Sequence, residues 1–206
     1  MFSLLLRGFV LGFAIAASPG PIFFLCVRRT LLQGRLAGLF SGFGVATADA
    51  FYAAIATFGV AALTAAFVSG RRPLAVVGGA VLVGFGLRIL FERRREAEAA
   101  PSPTGRGLAW AYLSTLGLTV TNPATIISFA ALAATLGFGT GGSFTGPSLV
   151  MAGVLLGSAA WWCILVLAAS LLRARLTPAV VRGISTLSGL AIAVLGILAV
   201  ISAFSG

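Results

Sequence analysis

The chain has neither lysine nor histidine, and only four of its 206 residues are acidic. Charged residues make up 9% of the sequence, whereas about 25% is usual for a soluble domain. The chain therefore has too few charged groups to form a hydrated protein surface. Without histidine, the chain can build neither a histidine-based zinc site nor a Ser-His-Asp triad. Its two cysteines, Cys26 and Cys163, lie in apolar surroundings and do not indicate a disulfide framework. A soluble domain and these two kinds of membrane hydrolase are therefore excluded.

Hydrophobic residues, by contrast, make up 59% of the chain, in long runs separated by short arginine clusters. A membrane-spanning helix needs about 20 apolar residues. The runs predict six spans, at about 4–27, 36–67, 73–91, 107–136, 147–172 and 183–204. Residues 92–106 form a hydrophilic linker whose charges and prolines are typical of a solvated loop. The predicted fold is all-α, an integral membrane protein with a single transmembrane domain over residues 1–206.

The arginines also predict how the chain is oriented. Ten of them fall in the first, third and fifth loops, against three on the opposite side. Because positive loops stay in the cytoplasm, we expect these three loops inside and both termini outside, in a bacterial plasma membrane. The net charge of +10 reflects this loop bias and does not predict nucleic-acid binding. Residues 14–18 resemble a signal-peptide cleavage region, but the apolar run continues past Pro19 and Pro21, which favours a retained first span.

Two breaks that contain proline interrupt the predicted helices. They consist of Ser18, Pro19, Gly20 and Pro21 in the first span and of Thr121, Asn122 and Pro123 in the fourth. Proline removes a backbone donor and disfavours helix at the preceding residue, so nearby carbonyl groups lose their helical partners. Within a bilayer this is tolerated only where protein or a water-filled cavity satisfies those groups, and the N-terminus of the next half-helix suits a carboxylate. One such break would indicate a simple kink, whereas two at matching places favour a binding site.

Asp49 is the only residue expected to carry charge between Leu36 and Gly70. It follows Arg35 by fourteen residues, roughly 20 Å along a helix at 1.5 Å per residue, which places it near mid-membrane. A carboxylate there costs roughly 2.5–3.5 kcal/mol to insert, so it marks a site by default. We interpret Asp49 as a carboxylate that binds an ammonium group or a proton, or both in turn. The alternative is a hydrogen-bonded acid that only ties helices together.

The two breaks also suggest an internal repeat. Each lies beyond the middle of the first span of a three-span half, the halves being about 1–91 and 107–206. Because three is odd, the second half enters the membrane from the opposite side. Six helices in two inverted three-helix repeats are the arrangement of many secondary transporters, in which interrupted helices mark the binding site.

These features resemble the lysine-exporter family of bacterial amino-acid exporters (LysE/RhtB type). The resemblance extends over nearly the whole chain and is strongest over 12–49, with its Pro-Gly-Pro, its first loop rich in arginine and glycine, and its glycine-rich helix with Asp49. It returns at Thr121-Asn122-Pro123. The resemblance implies a six-span transporter rather than an enzyme, which exports amino acids or related small metabolites on the proton gradient. It also implies a site around the two proline motifs and the aspartate.

Two positions depart from the family pattern. Ile22 stands where family members often have asparagine after Pro-Gly-Pro, and Ala124 stands where they often have lysine after Asn-Pro. The proline that commonly ends the fourth span is also missing. These differences remove a polar group and a cation near the inferred site, and they leave the substrate open.

The main hypothesis is therefore an exporter of amino acids or similar small zwitterions that works by proton antiport. The substrate ammonium or a proton would occupy Asp49 in alternation, and the substrate carboxylate would face the half-helix ends after Pro21 and Pro123. The expected partners are the substrate, protons and the lipid bilayer. No cofactor or metal is expected, and a homo-oligomer is compatible with the sequence.

Two alternatives use other chemistry. A membrane thiol-disulfide oxidoreductase would need Cys26 and Cys163 to meet. A divalent-cation exporter of related fold would need more carboxylates than Asp49 supplies.

Overall fold

The computed structural model describes residues 1–58, 70–91, 105–136, 144–173 and 177–204. Within these ranges the chain forms α-helices and no strands, which confirms the predicted all-helical class. The helices are α1 (Phe2–Ala16), α2 (Pro21–Gln33), α3 (Arg35–Thr57), α4 (Arg71–Phe91), α5 (Gly105–Val120), α6 (Pro123–Leu136), α7 (Thr145–Arg173) and α8 (Pro178–Ser202).

Four of these helices, α3, α4, α7 and α8, are long and apolar enough to cross a membrane. The pair α1 and α2 passes the same test as one broken span, with the two parts bent by 81°. The predicted fourth span is divided into α5 and α6, of 16 and 14 residues, and each is too short to cross alone. The described residues therefore contain four or five candidate spans where the sequence predicted six. Most of the predicted linker and the end of the second predicted span lie outside the described residues.

The helices place polar side chains inside the bundle and large apolar ones on its surface. Ser41, Thr115 and Ser158 are fully buried, whereas Leu156 of α7 and Ile201 of α8 are more than half exposed. A soluble protein shows the opposite arrangement, because its surface must be hydrated. An apolar surface around a polar interior suits a lipid environment, in which every polar group has to be satisfied within the protein.

Small residues allow the helices to approach closely. Helix α1 packs along α7, where Gly8 and Gly12 face the backbone of α7 and Gly153 and Gly157 face the backbone of α1. A methyl group added at Gly157 would collide with the Phe9 carbonyl oxygen. Close packing of small residues is a main source of helix association in membranes, where no hydrophobic force drives it. Helix α3 lies between α5 and α7 and so occupies the centre of the bundle.

Candidate functional site

One cavity of about 120 Å³ brings together the first break, Asp49 and Asn122. Of the residues predicted for the site, those that line it are Ser18, Pro19, Gly20, Pro21, Asp49 and Asn122. They come from three places in the chain, the α1–α2 connection, the middle of α3 and the α5–α6 connection. The two breaks and the acid are therefore neighbours in space.

Asp49 lies in the interior of the bundle. Its side chain is only 2% exposed, and its Oδ2 accepts a hydrogen bond of 2.7 Å from the Ser158 hydroxyl of α7. Val45, one helical turn earlier on α3, lines the same cavity. The carboxyl group thus reaches both the cavity and α7, so it combines the two interpretations offered by the sequence, a ligand group and a tie between helices.

The first break turns the chain sharply and exposes a helix N-terminus to the cavity. Helix α1 ends at Ala16, and α2 begins at Pro21 after Gly20, whose backbone is extended (φ −148°, ψ −176°). Proline is well suited to the first position of a helix, because the N–H that it lacks would have no helical partner there. Within the described ranges no side chain caps α2, and Ile22 and Phe23, which carry its first amide N–H groups, both line the cavity. Such a helix start attracts anions.

The second break is bonded differently. The Asn122 side-chain oxygen accepts a hydrogen bond of 3.1 Å from the Ala124 N–H, so Asn122 caps α6. The Tyr52 hydroxyl of α3 donates to the carbonyl of Val120, which is the last residue of α5 before the break. The Val120 carbonyl thus finds a partner within the protein, as the bilayer interior requires.

Two of the predicted residues of this break contribute in other ways. The Thr121 hydroxyl donates to the Gly117 carbonyl at 3.0 Å within α5, and Thr121 lies against Gly78 of α4 rather than in the lining of the cavity. Pro123 begins α6. The sequence could not separate Thr121 from Asn122, because adjacent residues at a helix break point in different directions.

Several further residues of the cavity lie outside the set of site residues predicted from the sequence. They include Val45, Thr119, Thr125, Ser128 and Trp162, together with Ser158 behind Asp49. Trp162 is 3% exposed, and its indole N–H has no hydrogen-bond partner among the described residues. Ser158 and Trp162 are four residues apart and therefore share one face of α7, a spacing that could have indicated a common site. Their position beside Asp49, however, depends on how α7 packs on α3.

The residues of the alternative hypotheses are also located. Cys26 is buried in α2, Cys163 is exposed on α7, and both are free thiols. Among the described residues, no group of three histidine, cysteine or acidic side chains could hold a metal ion.

Comparison with known protein families extends these observations to the whole chain. The sequence model of the LysE type translocator family matches residues 13–203. The chain belongs to this family. The match includes Asp49, both breaks and the α7 residues beside them, so the cavity lies within the part of the translocator that is shared with its family. The family is described as one of translocators.

A curated relative matches part of the translocator. It is the uncharacterized membrane protein YahN of Escherichia coli (strain K12), which is 40% identical over 68 residues. The aligned segment covers 33% of the translocator and 30% of YahN, so the match spans about a third of either protein. No solved structure matches the translocator. The family match and the match to YahN, together with the candidate membrane-spanning helices, identify a multi-pass protein of the inner membrane.

Proposed function

We propose that the translocator exports amino acids or related small zwitterions across the plasma membrane in exchange for protons. The observation that carries this proposal is that Asp49 and both helix breaks line one cavity. A buried acid and an uncapped helix start next to the same small space provide opposite partial charges for the two ends of a zwitterion. The volume of about 120 Å³ suits a molecule of a few heavy atoms.

The substrate ammonium is assigned to Asp49. Of the described residues that line the cavity, none is basic, so no side chain of the lining competes with a bound cation for this carboxylate. Because a single carboxylate serves both cations, a proton and an ammonium group exclude one another there. Alternation between the two is what proton antiport requires, because each exported substrate is then replaced by a proton.

The substrate carboxylate is assigned to the start of α2. The N–H groups of Ile22 and Phe23 precede the first helical hydrogen bond of α2, and no side chain occupies them. At the start of α6, by contrast, the Ala124 N–H already bonds to Asn122. The two half-helix ends are thus unequal, and α2 is the better anion site.

The departures from the family pattern narrow the substrate class. Ile22 and Ala124, which replace the asparagine and lysine frequent in the family, both line the cavity. Their apolar side chains favour a substrate with a small uncharged side chain. Lysine or arginine would bring a second cation, for which the described lining offers no second acid.

The packing supports two inverted three-helix repeats, about 1–91 and 107–206. In this interpretation α1–α2, α3 and α4 correspond to α5–α6, α7 and α8. If the two halves are equivalent, the contact of α1 with α7 in one half must have a counterpart in the contact of α5 with α3. The contacts of α3 with α7 and of α4 with α8 each pair equivalent helices. All four contacts are observed. Such symmetry suits alternating access by rocking of one half against the other.

The arrangement of the arginines supports cytoplasmic placement of the first, third and fifth loops. Arg28 of α2 donates to Ser185 in the first third of α8, and Arg29 donates to Ala111 in the first half of α5. The described ends of these arginine-rich connections therefore meet at one end of the bundle, as the bias in positive charge predicts.

The test is a comparison of efflux in cells that carry the wild type or single variants. Cells loaded with a panel of amino acids are compared for wild type, Asp49→Asn and Thr121→Val, at matched amounts of protein. We expect efflux of small neutral amino acids, its loss in Asp49→Asn, and near-normal efflux in Thr121→Val, whose hydroxyl lies outside the cavity lining. If Asp49→Asn exports at the wild-type rate with the same pH dependence, the proposed role of the carboxylate is wrong.

A further inference from the structure

Three of the helices that line the cavity of Asp49, which we name the Asp49 cavity, continue from it toward the arginine-rich end of the bundle. Residues three or four apart lie on one face of a helix, so such spacing traces how each helix leaves the cavity. Each helix contributes one set of residues on this face, and the first residue of each set lines the cavity. The sets are Asp49, Val45 and Ser41 on α3, Thr119, Thr115 and Ala111 on α5, and Ile22, Cys26 and Arg29 on α2.

Arg29 joins the far ends of these three sets. Its side chain is buried, and Nη1 donates to the Ser41 hydroxyl at 2.9 Å and to the Ala111 carbonyl at 3.0 Å. Nη2 donates to the Ser114 hydroxyl of α5 at 2.9 Å. A guanidinium group carries its N–H donors in a fixed planar fork, which holds several acceptors in one arrangement. One side chain therefore ties α2 to α3 and α5, about two helical turns from Asp49 along α3.

Buried side chains lie between this cavity and Arg29. Val45 and Thr115, the middle residues of two of the sets, are buried, and so is Cys26 of α2. The Thr115 hydroxyl donates to the Ser41 carbonyl at 2.7 Å, so α3 and α5 also bond to each other directly. We name this region the inner constriction and define it by Arg29, Ser41, Val45 and Thr115.

A second cavity lies on the far side of the inner constriction. Its volume is about 150 Å³, and its lining includes Arg29 and Ala111. Trp110 in the same lining is 58% exposed, so this cavity lies next to the surface at the arginine-rich end. The inner constriction therefore separates the Asp49 cavity from a space near that end of the bundle.

The opposite side of the Asp49 cavity is exposed. Ser18 and Pro19 of the first break line it there, together with Ala124 and Ser128 of α6, and all four residues are exposed. The cavity thus borders the surface of the protein at the two breaks and is closed toward Arg29.

We propose that the inner constriction is the cytoplasmic gate of the translocator and that Arg29 holds it closed. This inference rests on the proposed function, in which one half of the protein rocks against the other. Helices α2 and α3 belong to one half and α5 to the other, so opening must break the bonds from Arg29 to Ala111 and Ser114. Once the helices separate, the polar groups of Ser41 and Thr115 are hydrated and line a path from the cytoplasm to the cavity.

A brace that only stabilises the bundle would use the same hydrogen bonds. Its removal would lower stability without favouring either face of the membrane. Loss of a gate, in contrast, admits water-soluble reagents from the cytoplasmic side alone. The two roles are therefore separated by the side from which the constriction can be reached.

The experiment uses Cys26 as a reporter of gate opening. Cys26 is buried three residues before Arg29, and in Cys163→Ala it is the only thiol of the chain. Its rate of reaction with a membrane-impermeant methanethiosulfonate is measured from the cytoplasmic side in inside-out vesicles and from the outer side in spheroplasts. In this background we expect slow reaction from both sides, because the thiol is buried in the closed state.

Arg29→Gln, added to this background, should open the gate. Loss of hydrogen bonds from a charged group shifts an equilibrium about tenfold or more, so the cytoplasmic rate at Cys26 should rise by about this factor. The rate from the outer side should be unchanged. Arg35→Gln is the matched control, because Arg35 is an exposed arginine at the start of α3 and its removal costs the same charge. This control should leave both rates as they are in Cys163→Ala alone.

Ser114→Ala is a milder variant that tests the same contact even if Arg29→Gln does not fold. It removes one acceptor of Arg29 at a half-buried side chain. We expect a smaller rise in the rate at Cys26, again from the cytoplasmic side only. If neither variant differs from Arg35→Gln, or if the outer rate rises equally, Arg29 is a brace and not part of a gate.

The labelling requires no substrate, so its outcome is separate from that of the efflux assay. Labelling as expected in a protein that exports no amino acid would overturn the proposed substrate class and support the gate. Efflux as proposed, with Arg29→Gln and Arg35→Gln labelled alike, would overturn the gate alone.

Discussion

The Ser158 hydroxyl donates a hydrogen bond of 2.7 Å to Oδ2 of Asp49, and this bond joins α7 to α3. These two helices are the second members of the two proposed repeats. A proton or an ammonium group bound at Asp49, as we propose, would therefore alter a bond between the two proposed halves. In the proposed cycle, occupancy of the cavity is linked in this way to the packing of one half against the other.

This hydrogen bond predicts a specific effect of Ser158→Ala. A hydrogen bond to a charged group contributes about 1.5–3 kcal/mol, so loss of the donor should slow efflux about tenfold or more if the bond acts in transport. Ser170→Ala is the control, because Ser170 lies on the same helix and is also buried, and its hydroxyl has no hydrogen-bond partner in the part of the chain that the structure describes. Efflux is measured at matched expression; equal rates for both variants would contradict the coupling.

Tyr52→Phe should destabilise the protein. The change keeps the ring, which stacks on Phe129 at 5.8 Å between centroids, but leaves the Val120 carbonyl without its donor. A buried carbonyl without a partner costs about 1–3 kcal/mol. Thermal unfolding in detergent is compared with Tyr112→Phe, whose hydroxyl donates at 3.0 Å to the Thr47 hydroxyl rather than to the backbone. Equal unfolding temperatures for wild type and Tyr52→Phe would show that this bond does not support the break.

Gly157→Ala should loosen the contact between α1 and α7. The new methyl group would collide with the Phe9 carbonyl oxygen, and forcing the helices apart costs about 1–3 kcal/mol. Gly84→Ala in α4 adds a methyl group that meets no other described residue within 4 Å, so it should be neutral or slightly stabilising. The measurement is the thermal unfolding temperature of the two variants. A smaller decrease in this temperature for Gly157→Ala than for Gly84→Ala would disprove the close packing.

Asn122→Ala should weaken the start of α6. Replacing a capping asparagine by alanine typically costs about 1 kcal/mol, whereas serine can still accept the bond from Ala124. We therefore expect a lower unfolding temperature for Asn122→Ala than for Asn122→Ser. If the two variants unfold together at the wild-type temperature, the cap contributes nothing.

Replacing both cysteines tests the alternative based on thiol chemistry. Cys26 is buried and Cys163 is exposed, and transport by the Asp49 cavity uses neither. The double variant Cys26→Ala, Cys163→Ala should export at the wild-type rate. Loss of efflux in the double variant and equally in each single variant, all of them correctly folded, would favour joint action of the thiols instead.

Much of the fold was predictable because membrane helices obey simple rules. The predicted spans at 73–91, 147–172 and 183–204 correspond closely to α4, α7 and α8, since an uninterrupted apolar run forms a helix wherever it lies in the bilayer. The breaks at Pro19 and Asn122 were predictable for the converse reason, because proline ends helical hydrogen bonding locally. The 81° bend between α1 and α2 was not, because its size depends on what each half packs against.

Composition and local backbone chemistry are enough to predict an all-helical membrane protein with one isolated acid in its apolar runs and two broken helices. The contacts between helices are known only from the folded bundle, in which Ser158 bonds to Asp49, and Asn122 lines the cavity while Thr121 lies outside it. Such contacts depend on how each helix is rotated and offset against its neighbours. Packing of glycines across the bundle sets this arrangement, and it cannot be predicted from a local sequence pattern.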